Sequence, residues 1–85
     1  MTPAQALSIV RNAAAARALI YRQHAFQRMR ERGMTEADVR HALANATVCR
    51  PGDDGCWKVT GDDLDGDDLT AVVAIEGDVV VITLY

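Results

Sequence analysis

Aromatic residues are scarce in this 85-residue chain: one tryptophan, two tyrosines and one phenylalanine. Trp57 and Tyr21 offer stacking faces, but so small a set is better read as core. Cysteine is limited to Cys49 and Cys56, which flank Arg50-Pro-Gly-Asp-Asp-Gly55. Two thiols without two further ligands at suitable spacing make no zinc site. They read as reduced, partly buried thiols, with a cross-strand disulfide left open should they face each other. No apolar run is long enough to span a membrane. A basic start followed by an apolar run is missing from the N-terminus, where Arg11 and Arg17 interrupt the alanines. No secretory signal is therefore expected, and the cytoplasm is the default location.

Lysine is nearly missing too, since eight of the nine basic residues are arginine. Arginine presents a planar fork that grips phosphate or carboxylate at two points. The net charge of −3 hides an asymmetry. Residues 1–50 hold eight arginines against three acids, and residues 51–85 hold Lys58 against nine acids. A basic face on an acidic protein suits a local anionic ligand or partner better than general coating of nucleic acid. The length bounds the chain to one small domain with a thin stability margin. A hydrophobic fraction of 49% fits a globular protein and argues against disorder.

The N-terminal half has helical period. Thr2 caps a first helix, Pro3 suits its first turn, and Gln5 completes a capping box. Leu7, Val10 and Ala14 follow helical spacing, and the alanine run extends the helix to about Ala18. Leu19 to Gln23 reads equally as a short extended stretch or as helix. A second helix covers roughly His24 to Arg32 and stops at Gly33, which tolerates a left-handed C-cap. Thr35 starts a third helix, with Asp38 three residues on and Val39, Ala42 and Leu43 as its apolar stripe. It ends near Asn45.

The period then changes to two. Thr47 to Arg50 and Cys56 to Thr60 are strand candidates around the turn Pro51 to Gly55. Leu69 to Glu76 and Val79 to Tyr85 are two more, joined by Gly77-Asp78. The fold class is therefore α+β: about three N-terminal helices packed on a C-terminal antiparallel sheet of about four strands. The last strand is apolar on both faces and belongs inside the sheet. Simple alternation puts Val79, Val81, Thr83 and Tyr85 on one face and Val80, Ile82 and Leu84 on the other.

The acidic segment Asp62 to Asp68 invites a calcium reading. An EF-hand loop with its glycine at Gly66 needs a ligand at position 61, which is Gly61, and a glutamate at position 72, which is Val72. It reads as a solvated turn, and neither a metal nor another cofactor is expected. His41 falls between the apolar stripe and solvent and reads as a surface histidine.

The segment His24 to Gly33 places a histidine, a glutamate and three arginines within ten residues. On a helix, His24, Arg28, Glu31 and Arg32 share one face, while Ala25, Phe26 and Met29 can anchor the other side. Three readings are open. The row is a solvated face in which Glu31 pairs with Arg28. Alternatively it binds an anion or an acidic partner without reaction. Finally, it belongs to a metal-independent ribonuclease site. That chemistry needs a proton carrier for the ribose 2′-OH and the leaving 5′-oxygen, and cations for the transition-state charge. Histidine carries protons near neutral pH. Arg28 and Arg32 can hold phosphate, and Tyr85, Thr83 and Lys58 add donors if the sheet brings them close.

The segment His24 to Val39 resembles the signature of a bacterial family known as a domain of unknown function, the 4258 family (DUF4258). Trp57-Lys-Val-Thr-Gly61, Leu64-Asp-Gly66 and Val80-Val-Ile-Thr-Leu-Tyr85 extend the resemblance, which covers about Ile20 to Tyr85. It implies a small α+β fold akin to RelE and barnase-like nucleases. It also implies the toxin of a type II toxin–antitoxin system, which cleaves RNA by transesterification without a metal. The partners implied are RNA, in some cases on a ribosome, and a cognate antitoxin of zinc-finger and helix-turn-helix type. Carried over by position, the family's polar residues are His24, Arg28, Arg32, Thr83 and Tyr85. The resulting expectation is a catalytic group of His24, Arg28, Arg32 and Tyr85, with substrate held by Thr83 and by Lys58, the latter on chemical grounds alone. The extension 1–19 lies outside the toxin-like core, residues 20–85, of a single domain. The alternative expectation is a non-catalytic module, or a regulator of the same fold, whose arginine face docks an acidic protein or nucleic acid.

Overall fold

The computed structural model describes residues 1–85. Three helices lie on one face of a five-stranded sheet. The chain order is α1 (Pro3–Ala15), β1 (Leu19–Tyr21), α2 (Gln23–Arg32), α3 (Glu36–Ala44), β2 (Val48–Pro51), β3 (Trp57–Asp62), β4 (Asp68–Glu76) and β5 (Asp78–Leu84). A single 3-10 turn, Asp53–Gly55, links β2 to β3.

The helix boundaries follow local chemistry. The Thr2 hydroxyl accepts from the Gln5 backbone N–H at 3.2 Å, while Gln5 Oε1 accepts from the Thr2 N–H at 2.8 Å. Thr35 and Asp38 close an equivalent box on α3 at 3.1 and 3.0 Å. Each box satisfies two backbone donors that a helix start otherwise leaves unpaired. Gly33 ends α2 at φ +66. α1 stops at Ala15, short of Ala18, because Arg17 takes the left-handed conformation at φ +57 and turns the chain toward β1.

The sheet order is β1-β5-β4-β3-β2. It is mixed, with one strand more than the sequence suggested. The extra strand is Leu19–Tyr21, which pairs parallel to β5 with Leu19 opposite Val79 and Tyr21 opposite Val81. Three residues carry too little pattern to be recognised alone, and the pairing with β5 is what orders them. The other pairings are antiparallel, and β5 is interior, flanked by β1 and β4.

One core holds the layers together. Val10 and Ala14 of α1, Ala25 and Met29 of α2, and Val39, Ala42 and Leu43 of α3 pack against Val59, Leu69, Ala71, Val73, Val79, Val81 and Leu84 of the sheet. All three helices therefore cover the same face, and the opposite face has no layer over it. Trp57 and Tyr21 pack against this core. Phe26 does not anchor α2 as its spacing suggested. It is 48% exposed, and its ring leans on Tyr21 with centroids 5.4 Å apart. Gly61 lies under the carbonyl of Ala42, where a Cβ would collide with that oxygen and approach Ala46 Cα to 3.1 Å. Its missing side chain lets α3 seat directly on β3.

A bulge reverses half of β5. Val73 faces Val81, but Val72 faces Thr83, so Ile82 is the extra residue. Simple alternation along the strand is therefore overturned beyond Val81. Val79, Val81 and Leu84 are the core-facing residues, each buried, while Thr83 and Tyr85 turn to the uncovered side. A bulged residue shifts the phase of every side chain that follows it.

The two thiols do not face each other. Cys49 pairs with Val59 on the core side, whereas Cys56 precedes Trp57 on the opposite face and lines the uncovered side. Both are free, which removes the cross-strand disulfide. Burial pushes the Cys49 thiol above its ordinary pKa. No helix is long and apolar enough to cross a membrane.

Candidate functional site on the uncovered sheet face

The uncovered face carries the outward half of each strand. Arg50 of β2 faces Lys58 of β3, Lys58 faces Val72 of β4, and Val72 faces Thr83 of β5. These four residues form one row across the sheet. A second row is hydroxylic. Thr60 and Thr70 share a hydrogen bond of 2.8 Å, and Thr70 exchanges backbone bonds with Tyr85 at 2.8 and 2.9 Å. Along β1, Leu19 and Tyr21 turn to the core and Ile20 turns outward, 46% exposed. Arg22 continues that alternation onto the uncovered face, with its backbone N–H donating to Val81 O at 3.0 Å.

These elements enclose an open cavity of about 510 Å³. Its floor is apolar, from Val72 and Ile82. Arg22, Lys58 and Tyr85 line it as cations and a phenol, and Asp53 and Asp54 of the 3-10 turn supply carboxylates. The Cys56 thiol completes the lining. Asp54 is held at φ +55, an unfavoured conformation that asparagine and aspartate tolerate better than most side chains. The chain's ion pairs are Arg28–Glu31 at 3.7 Å and Arg40–Glu36 at 3.3 Å. Neither involves the cavity, so its two cations and two carboxylates share a space without pairing.

The expected site residues thus fall into two groups. Lys58 and Tyr85 line the cavity on the uncovered face, and Thr83 shares that face opposite Val72 without lining the cavity, placed there by sheet register and the bulge. His24, Arg28 and Arg32 stay on α2 and do not line the cavity. His24 is exposed in the first turn of α2, just after Arg22. Arg28 is half-buried beside Glu31, and its Nε has no hydrogen-bond partner. Arg32 is exposed in the last turn, where a cation suits the negative end of the helix dipole. Arg22 is a cavity residue that the sequence pattern does not single out. Its signal was the alternation Leu19-Ile20-Tyr21-Arg22, legible only once that stretch is taken as a strand. The start of α2 has no side-chain cap and no acid in its first turn, which leaves its dipole uncompensated beside Arg22.

Tyr21 marks the helix side of the same region. Its hydroxyl is buried without a partner. Burial, aided by the Glu36 charge and opposed by Arg40, pushes its pKa up to about 12. This phenol stays neutral and serves packing. On α3, His41 is exposed and its Nδ1 lies 3.1 Å from Asp62 O. Asp38 Oδ1 accepts from the Leu64 N–H at 3.3 Å, so α3 holds the acidic turn from both residues. Within that turn Asp63 Oδ1 accepts from the N–H groups of Asp65 and Asp67, both at 2.9 Å. No group of three or more potential ligand side chains converges on a metal position anywhere in the chain.

The fold and the site define a class: a small α+β domain with one bare sheet face that bears a cation-lined cavity. The chain belongs to the family described as Domain of unknown function (DUF4258), which matches residues 21–85. The match begins at the last residue of β1 and leaves α1 outside. No curated protein and no solved structure matches the chain.

Proposed function

We propose that this protein is a metal-independent endoribonuclease of RelE/barnase-like type, acting as the toxin of a type II toxin–antitoxin system in the cytoplasm. The carrying observation is the cavity that gathers Arg22, Lys58 and Tyr85 on the uncovered sheet face. Two cations over an apolar floor suit one phosphate of a single strand, with Tyr85 as donor and stacking surface. In the reaction the ribose 2′-oxygen attacks phosphorus as its proton passes to a base. The bond to the 5′-oxygen breaks, and that oxygen takes a proton from an acid. The products are a 2′,3′-cyclic phosphate and a 5′-hydroxyl.

Arg22 and Lys58 neutralise the charge that grows on the phosphoryl oxygens. His24 follows Arg22 at the start of α2 and is the assigned proton carrier. Thr83 extends the polar row beside Lys58. Arg28 and Arg32 lie further along α2 and hold flanking phosphates, or the acidic surface of a cognate antitoxin.

The test is growth on induced expression, followed by mapping of RNA ends, for wild type and for His24→Ala, Arg22→Ala and Lys58→Ala. Wild type should arrest growth and leave 5′-hydroxyl ends, and each variant should lose both. Full cleavage by His24→Ala would remove the histidine from the reaction. The placement of His24, Arg28 and Arg32 outside the cavity favours a second reading, a binding module without catalysis. RNA bound tightly but left intact by the wild type would select it.

A further inference from the structure

We propose that α1 is exchangeable between two copies of this chain, forming a reciprocal dimer in which the helix of each copy packs on the body of the other. The proposal is independent of the ribonuclease reading.

Its basis is a conflict at the hinge between α1 and β1. Ala13 to Ala16 and Ala18 are strong helix formers, and local propensity alone carries α1 through to Ala18. The fold instead stops it at Ala15 and holds Arg17 at φ +57. A left-handed backbone at a residue other than glycine is disfavoured roughly five- to thirtyfold. Arg17 is exposed, and the chain's ion pairs lie on α2 and α3, so no salt bridge of its side chain offsets that strain. The bonds that close the turn all return to α1 itself. Ala16 N–H donates to Asn12 O at 3.0 Å, Arg17 N–H to Ala14 O at 3.1 Å and Ala18 N–H to Ala13 O at 2.8 Å. A helix continued through Ala18 re-forms the last two with the acceptors exchanged, Arg17 to Ala13 and Ala18 to Ala14, and without the strain. An open hollow of about 310 Å³ lies between Ala14, Ala15 and Arg17 on one side and Ala37, Arg40 and Ala44 of α3 on the other. The hinge therefore has room to move.

The seat of α1 does not distinguish which copy fills it. α1 docks on α3 and β2, and its buried residues are Ala6, Val10 and Ala14. Its side-chain hydrogen bonds are the two of its own cap, between Thr2 and Gln5. Apolar burial is non-directional, so an identical helix from a second copy makes the same contacts. Once Arg17 is helical, the turn that returns α1 to its own body is gone, and the vacated seat takes the helix of the other copy. Strained hinges of this kind invite such exchange. Relief comes at Arg17 of both copies, so its factor enters the dimerisation constant twice, against the freedom lost on association. α1 lies on the covered side of the sheet, so the uncovered face of each copy stays open in the dimer.

The experiment refolds the full chain from micromolar to millimolar concentration and measures mass by size exclusion with light scattering. Wild type should show a dimer that grows with concentration and converts slowly to monomer on dilution. Arg17→Gly accepts the left-handed turn without strain and should lower the dimerisation constant by about tenfold or more. Arg17→Val places a β-branched residue where it fits worst and should raise it. Both substitutions fall at an exposed position, so the core is untouched. A mixed sample of carbon-13-labelled and unlabelled copies then separates exchange from simple surface contact. Isotope-filtered nuclear Overhauser effects should join Val10 of one copy to Val39 or Leu43 of the other. A chain that stays monomeric at every concentration, a dimer without those contacts between copies, or an Arg17→Gly variant as dimeric as wild type overturns the proposal.

Discussion

Arg22 and Lys58, from opposite halves of the chain, line one cavity on the bare side of the sheet. Arg22 reaches it at the end of the edge strand β1 and Lys58 from β3, with β5 and β4 between them. Two cations on one nucleic-acid surface should each add to the salt dependence of binding. Arg22→Ala and Lys58→Ala should each lower the slope of log affinity against log salt by about 0.7 for single-stranded RNA. Fluorescence anisotropy with a short labelled RNA at several salt concentrations measures it. Slopes equal to wild type in both variants would place RNA elsewhere.

Gly61 and Ala42 fix the seat of α3 on the sheet. A methyl group at position 61 would strike the Ala42 carbonyl, which is backbone and cannot swing away. Gly61→Ala should cost about 1–3 kcal/mol or more, through displacement of α3 from β3. Thermal or urea unfolding of the variant provides the measurement, and wild-type stability would show that the helix seats differently.

The Tyr21 hydroxyl is buried without a partner, so it contributes desolvation cost and no bond. Tyr21→Phe should keep or raise stability, by up to about 1 kcal/mol. The substitution also has an alkaline signature. Folding raises the phenol from its ordinary 10.0 to about 12. The unfolded chain therefore ionises first, and stability should fall as pH rises through that interval. Unfolding midpoints across this range should decline less in Tyr21→Phe than in wild type.

Asp38 predicts an acid-side effect of the opposite sign. The Thr35 N–H and hydroxyl lower its pKa, with help from the Leu64 N–H and the charge of His41. A lowered carboxylate stabilises the fold fully above the ordinary carboxylate range. That contribution is lost as pH falls through the lowered folded value. Asp38→Asn should be less stable than wild type at neutral pH, and the gap should narrow on acidification. Unfolding midpoints from neutral to acid pH decide it, and a gap that widens on acidification would contradict the cap.

Local chemistry explains what was readable in advance. The capping boxes at Thr2 and Thr35, the stop at Gly33 and the buried stripe Val39, Ala42 and Leu43 depend on residues within a few positions of each other. The sequence leaves β1 open between an extended stretch and helix, and it gives no sign of the bulge at Ile82. Neither carries a glycine or proline, and both exist because of a partner strand. Phe26 departs from its expected core position because helical spacing gives a direction but not what stands there. The candidate site was legible in part for the same reason. Lys58, Thr83 and Tyr85 are donors that only the sheet can gather, whereas Arg22 sits in a stretch that reads equally as extended or helical.

The amino-acid sequence by itself determined the α+β order, the helix ends and the charge contrast between the two halves, because these follow from neighbours along the chain. The tertiary structure alone decided which side of the sheet is bare and which residues meet there. One extra residue in β5 turns Thr83 and Tyr85 outward, and a three-residue parallel pairing brings Arg22 to the cavity that Tyr85 lines. Both are contacts between distant segments, set by register and burial, and no local pattern encodes them.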